Sequence, residues 1–343
     1  MGDKIILRKA ILHILDTNID IPVLSNTELE LDSDICDFLE KHIEKLLDDP
    51  NMKIAEFLCS ANEMGETNYI RDICANLAKD AEYFYQASFD ITNILFNILI
   101  KNVDIAPADL ICCLFDYCRQ SYLGILKLNY KTSFTHFVQQ CEEGNINTII
   151  KHRTILPSES QKIDECAFVN LQDLSIKLIE KAYEINGEKE LYFSRLFLCC
   201  SPELSDNEKL KIIDKVTKKI NKKFFDEDFD KVAKLKKVVS ENLEESNSIQ
   251  VDTIIEKVFD NNIEIQNEYV SEIQKEGLLE KSISVPEKLA EKKFKTHKIK
   301  TDTGIEISFP PSYYSDNEKI EFINNPDGTI SIIIKNIGKI VNR

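Results

Sequence analysis

Seven lysines fall between residues 209 and 223 (Lys209, Lys211, Lys215, Lys218, Lys219, Lys222 and Lys223), against one acid, Asp214. An ammonium is a compact point charge that holds phosphate oxygens but lacks the planar fork that reads base edges. Such a run therefore suits positioning on a polyanionic backbone. A second run, Lys292, Lys293, Lys295, Lys298 and Lys300, has no acid between 292 and 300. These lysines are the candidate DNA contacts of the chain.

The other residue types that carry chemistry are not spaced for it. The five histidines (His13, His42, His136, His152, His297) stand far apart, with no H-E-x-x-H and no His-x-Glu partnered by Pro-Cys-x-x-Cys. The nine glycines form neither G-x-x-x-x-G-K nor G-x-G-x-x-G, and no G-x-S-x-G elbow is present. Cys141 in Cys141-Glu142-Glu143-Gly144 has no histidine linked to it. Asp32 with Asp34, or Asp226, Glu227 and Asp228, could hold Mg²⁺, but acids of this kind more commonly serve as helix-start and loop charges. The ten cysteines include no Cys-x-x-Cys and sit in apolar segments such as Ile111-Cys112-Cys113-Leu114 and Phe197-Leu198-Cys199-Cys200. They read as buried free thiols. No catalytic site, metal or cofactor is expected.

A helix must position the first lysine run. Ser205-Asp206-Asn207-Glu208 is a capping-box pattern, in which serine and glutamate satisfy each other's backbone amides. At 100° per residue, Leu210, Ile213, Val216, Ile220 and Phe224 share one face, while Lys211, Lys215, Lys218 and Lys222 share the opposite one. The stripe extends about 18 Å at ~1.5 Å per residue. Further helices are expected at 228–243 and 251–274. Strands are expected at 304–309, 319–323 and 329–335, the last two joined by the Asn325-Pro326-Asp327-Gly328 turn.

Ahead of the lysine helix, the pattern predicts a strand over 4–16 and helices over 31–47, 70–77 and 84–100. Strands at 109–116 and 121–130 are joined across 117–120, with more at 146–156 and 167–170. A helix at 171–184 and a strand at 190–200 follow. Strands mixed with helices and lacking a β-α-β rhythm define an α+β class with a mixed, largely antiparallel sheet, followed by a helical segment and a C-terminal β-hairpin. The expected division is 1–200, an N-terminal α+β domain, and 201–343, the lysine-rich helical segment with the hairpin.

The formal charge is −16 over 343 residues, which excludes a protein basic all over its surface. Residues 1–100 hold 8 basic and 19 acidic side chains, net −11, so the remainder is nearly balanced and its lysine runs stand out. The most apolar run, 91–100, is too short for a membrane span and contains Asn93 and Asn97. The start, Met1-Gly2-Asp3-Lys4, has no signal-peptide pattern, so the cytoplasm is the expected location and no membrane partner is expected.

Residues 298–307, Lys-Ile-Lys-Thr-Asp-Thr-Gly-Ile-Glu-Ile, lead to Pro310, Tyr313-Tyr314 and residues 319–330, Lys-Ile-Glu-Phe-Ile-Asn-Asn-Pro-Asp-Gly-Thr-Ile. This closing segment resembles that of the bacterial nucleoid-associated protein family of the NdpA type. Residues 5–16 and 126–136 are similar to the same family in kind and position, so the resemblance spans nearly the whole chain. Where family members carry a basic glycine turn after a central helix, this chain has Tyr192-Phe193-Ser194-Arg195-Leu196-Phe197-Leu198-Cys199-Cys200-Ser201-Pro202.

The resemblance implies a location at the nucleoid and binding of double-stranded DNA with little sequence specificity, in an accessory or architectural role without enzymatic activity or cofactor. A homodimer fits, because two copies of a modest basic patch gain avidity on one duplex. The alternative is a protein-interaction module, whose acidic N-terminal half docks a DNA-processing or phage-defence partner. A third reading, a metal-dependent nuclease, would rest on the acids set aside above.

Overall fold

The computed structural model describes residues 4–58, 68–141, 144–225, 234, 237–239, 241–242, 248–259, 262–285, 296–310, 312–313, 316 and 318–339. The chain divides into two compact units, Met1–Glu203 and Leu204–Arg343. The fold is α+β, with a large antiparallel sheet, helices and a C-terminal hairpin.

In the first unit the elements run β1 (Ile6–Leu15), α1 (Ser33–Leu47), β2 (Lys53–Phe57), α2 (Tyr69–Lys79), α3 (Phe84–Lys101), β3 (Ala108–Tyr117), β4 (Gln120–Asn129), β5 (Lys131–Cys141), β6 (Gly144–Ile155), β7 (Glu165–Asn170), β8 (Ile176–Ile179), β9 (Tyr183–Ile185), β10 (Glu188–Glu190) and β11 (Cys200–Pro202). Seven of them form one sheet in the order β1-β3-β4-β7-β8-β2-β11. Every pairing in it is antiparallel.

Strand alternation divides the core in two. Leu110, Cys112 and Leu114 of β3 face α2 and α3, with Phe84, Ile91 and Leu95 of α3 packed into the same cluster. Ile111, Cys113 and Phe115 face the other way, toward Leu39, Ile43 and Leu46 of α1. Because helices cover both faces, residues 108–115 are all buried and read as an unbroken apolar run. Helix α3 is correspondingly apolar on most sides, with Phe84, Ala87, Ile91, Leu95, Phe96 and Leu99 buried.

Two expected elements differ. The helix predicted at 171–184 is instead a turn followed by β8 and β9. Ile176 and Leu178 have period two, Leu174 adopts φ 63°, and Asp173 accepts a hydrogen bond from the Ser175 amide at 2.9 Å, closing the turn. The strand predicted at 190–200 is instead a π-helical turn over Phe193–Leu198, closed by Cys199 at φ 49°. Its aromatics Tyr192, Phe193 and Phe197 are buried as on a helix, at spacings of one and four.

Strands β5 and β6 leave the sheet altogether. They occupy the connection between the neighbouring strands β4 and β7 and pair only with each other, as a ribbon of 11 and 12 residues. Sequence patterning points to β6 but not β5, because a ribbon exposed on both faces has no polar-out alternation to detect.

The second unit holds α4 (Asp206–Phe225), β12 (Ser248–Gln250), α5 (Val251–Val258), α6 (Ile263–Lys275) and β13 (Ser282–Ser284), then the hairpins β14 (His297–Lys300) with β15 (Glu306–Phe309) and β16 (Ile320–Asn324) with β17 (Ile330–Ile334). The single helix predicted over 251–274 is two, because Asn262 starts α6 afresh by accepting a hydrogen bond from the Ile265 amide at 3.2 Å. The segment 228–243 lies largely outside the described residues. The Asn325–Gly328 turn forms as expected, with Gly328 at φ 84° and its amide donating to the Asn325 carbonyl at 3.0 Å.

Candidate nucleic-acid interface

Helix α4 begins as its sequence dictates. The Ser205 amide donates to Glu208 Oε2 at 2.9 Å, and the Glu208 amide donates to Ser205 Oγ at 3.3 Å. Leu210, Ile213, Val216 and Ile220 are buried in a cluster with Ile254, Val258, Tyr269 and Ile273 of the neighbouring helices. Thr217 Oγ1 donates to the Ile213 carbonyl at 2.7 Å and lies 2.9 Å from the Tyr269 hydroxyl, a buried polar pin between α4 and α6.

The lysines fall into two sets. Along the edge shared with α6, Lys215 pairs with Glu276 at 2.6 Å, Lys219 with Glu272 and Lys223 with Glu268. Both rows step by four residues in opposite directions, as two antiparallel helices in contact require. Lys209, nearly buried, extends the ladder to Glu280 at 2.8 Å. Glu272 also accepts from Lys275 at 2.8 Å; the hydrogen bonds from Lys219 and then Lys275 hold its carboxyl down at about 2.

The second set faces outward. Lys211 is exposed and makes no ion pair among the described residues, Lys218 bonds to Asp214 of its own helix at 2.7 Å, and Lys222 is exposed. In β14, Lys298 and Lys300 are exposed, with Lys300 3.3 Å from Glu306 across the hairpin. Lys292, Lys293 and Lys295 lie outside the described residues. The counter-row of glutamates has a plain sequence signal, Glu264, Glu268, Glu272, Glu276 and Glu280 at strict intervals of four, which becomes informative once α6 is set beside α4.

Among the described residues, no group of three or more His, Cys, Asp or Glu side chains is arranged to hold a metal ion. Asp32 caps α1, accepting from the Ile35 amide at 2.9 Å, and Asp34 lies in the same first turn. Asp226, Glu227 and Asp228 lie outside the described residues. The nine described cysteines are unpaired. Cys74, Cys112, Cys113, Cys166 and Cys200 are buried, and burial pushes the thiols of Cys74, Cys113, Cys166 and Cys200 up to about 12, which keeps them protonated and unreactive. Cys118 and Cys141 are exposed. No helix among the described residues is long and apolar enough to cross a membrane.

An α+β chain that offers lysines to solvent on one helix and one hairpin fits the nucleoid-associated class of proteins, whose theme is association with DNA. The family described as nucleoid-associated protein YejK matches residues 11–341, nearly the whole chain, and the chain belongs to that family. No curated protein matches it significantly.

Proposed function

We propose that this protein binds double-stranded DNA with little sequence specificity, as a homodimer in a non-enzymatic, accessory role at the nucleoid. The observation that carries this reading is the outward row of α4. Lys211, Lys218 and Lys222 project away from the buried stripe over eleven residues, about 17 Å at ~1.5 Å per residue. Lys298 and Lys300 add a second contact, continuing in sequence from Lys292, Lys293 and Lys295. Lys209, Lys215, Lys219 and Lys223 act mainly in holding α4 to α6 and reach phosphate only by giving up a glutamate. Lysine without arginine in these runs supports backbone contact over base reading.

The test is a salt series of fluorescence anisotropy on duplex DNA. Affinity should fall linearly in log–log form, with a slope of about −0.9 per phosphate neutralised. Replacing Lys211, Lys218 and Lys222 together by Glu should abolish retention while the helical circular dichroism stays unchanged, since none of the three is buried. Full retention by that triple variant refutes the role of α4.

A further inference from the structure

The ribbon of β5 and β6 buries almost nothing within its own chain. Phe134, Ile146 and Ile149 are 67, 57 and 74 % exposed, and Phe137 and Val138 are about half exposed. Both outer edges carry backbone groups that pair with no other described strand. An isolated two-stranded ribbon is marginal in water, and a long open edge with apolar side chains is a template for another strand. The middle of the ribbon is also uncharged: 137–141 and 144–150 contain no acidic, basic or histidine side chain. A partner recognised there is met by backbone and aliphatic groups, which does not suit a phosphate backbone.

Charge along the ribbon identifies that partner. At its base are Lys131, Lys151 and Arg153, with Lys151 Nζ 6.0 Å from the centre of the Phe134 ring. At the other end, the two residues that join the strands in the sequence are Glu142 and Glu143. A second identical ribbon laid antiparallel sets each acidic end against the other's basic base, whereas a parallel arrangement sets like charges together. Two-fold symmetry together with side-chain alternation allows only registers in which one residue stands opposite its own copy. Centring β6 on Thr148 puts Ile150 opposite Ile146 of the second copy and Arg153 opposite its Glu143, each pair occurring twice.

We infer that β6 is a self-association edge, through which two copies of this chain join their ribbons into one four-stranded antiparallel sheet centred on Thr148. This rests on the homodimer in the reading above and is independent of DNA contact. A dimer built this way would carry two α4 rows.

Sedimentation equilibrium of the full chain without DNA tests it. Wild type should be a dimer, and Arg153→Glu and Glu143→Arg should each raise the dissociation constant roughly tenfold or more. The double variant Arg153→Glu/Glu143→Arg should recover the wild-type constant, a rescue that damage to folding would not give. Thr148→Cys in a Cys141→Ser background should form a disulfide-linked dimer on mild oxidation, while wild type, whose Cys141 would face Ile155 of the second copy, should not. A monomeric wild type, no rescue by the double variant, or ribbon variants that lose DNA retention at unchanged mass would each overturn the inference. DNA retention of the same samples reports separately on the DNA-binding reading.

Discussion

Lys215 Nζ lies 2.6 Å from Glu276 Oε2, and one helical turn along in each direction of the chain the same relation joins Lys219 to Glu272. Lysines that look in sequence like a free basic stripe thus largely form the basic side of an interhelical ladder. The remaining positive field belongs to the outward set. Exposed pairs of this kind contribute little each, but a row of them fixes the register of two helices.

The ladder makes a directional prediction for DNA. Glu268→Gln/Glu276→Gln releases Lys223 and Lys215 while keeping side-chain size. Anisotropy at low salt should show tighter binding, and the salt slope should steepen by up to about 0.9 per lysine that reaches a phosphate. An unchanged slope would mean that this edge of α4 does not face DNA.

Glu272 sets an acid limit for the second unit. Its carboxyl is held at about 2 in the folded chain against an ordinary 4.5, so its contribution to stability is complete above about 4.5 and disappears as pH falls toward about 2. Circular dichroism in urea at successive pH values should show that loss, and Glu272→Gln should remove this part of the profile.

His13 governs a higher window. Its Nδ1 accepts from the Ser25 amide at 3.1 Å, so the proton sits on Nε2, which donates to Ser88 Oγ at 3.0 Å; the Ser88 hydroxyl donates in turn to the Tyr85 carbonyl at 2.7 Å. Burial lowers the imidazole from 6.5 to about 4, and charging Nδ1 would break the bond to Ser25. The unfolded chain therefore takes up this proton first. Stability is complete above about 6.5 and falls by up to about 3 kcal/mol as pH drops to about 4. His42, also lowered by burial, acts in the same direction. His13→Gln should flatten the urea midpoint between these pH values, and an unaltered slope would assign the effect to His42.

How much the sequence reveals by itself follows from burial. The helices α1, α2 and α3 and the strands β3 and β4 are legible because each buries a stripe or a whole strand, and the residue pattern records it. Leu171 to Glu184 misleads because three aliphatics at 176, 178 and 179 satisfy either period when the turn at Asp173 goes unrecognised. The lysines of α4 are legible as a row, but their pairing is not. Whether Lys215 is available depends on Glu276, 61 residues away, and no local pattern pairs the two. Strand β5 leaves no trace because nothing in its own chain covers it.

Gly124 is required by its neighbours and not by its backbone. A Cβ there would stand 2.6 Å from Cys113 Sγ, its register partner on β3, and 3.3 Å from the Phe115 ring. Gly124→Ala should cost about 1–3 kcal/mol in urea unfolding, and Gly124→Ala/Cys113→Ala should recover most of it by removing the sulfur. A double variant no better than the single one would place the cost in the backbone.

Lys127 and Glu165 face each other across β4 and β7, fully buried, with Nζ 2.7 Å from Oε2. Lys127 also donates to Asn129 Oδ1 at 2.6 Å, and Glu165 Oε2 accepts from the Tyr183 hydroxyl at 3.2 Å. This is where the ribbon departs from the sheet, since β4 ends at Asn129 and β7 begins at Glu165. Burial pulls the Lys127 ammonium down while Glu165 holds it up, so the pair persists only as a pair. Lys127→Met leaves a buried carboxylate without its cation and should cost about 3–5 kcal/mol. Lys127→Met/Glu165→Leu removes both charges and should unfold within about 1–2 kcal/mol of wild type, or above it. If the double variant matches wild type in stability but loses self-association in sedimentation, the pair serves to aim the ribbon. If both properties are kept, its role ends at neutralising its own burial.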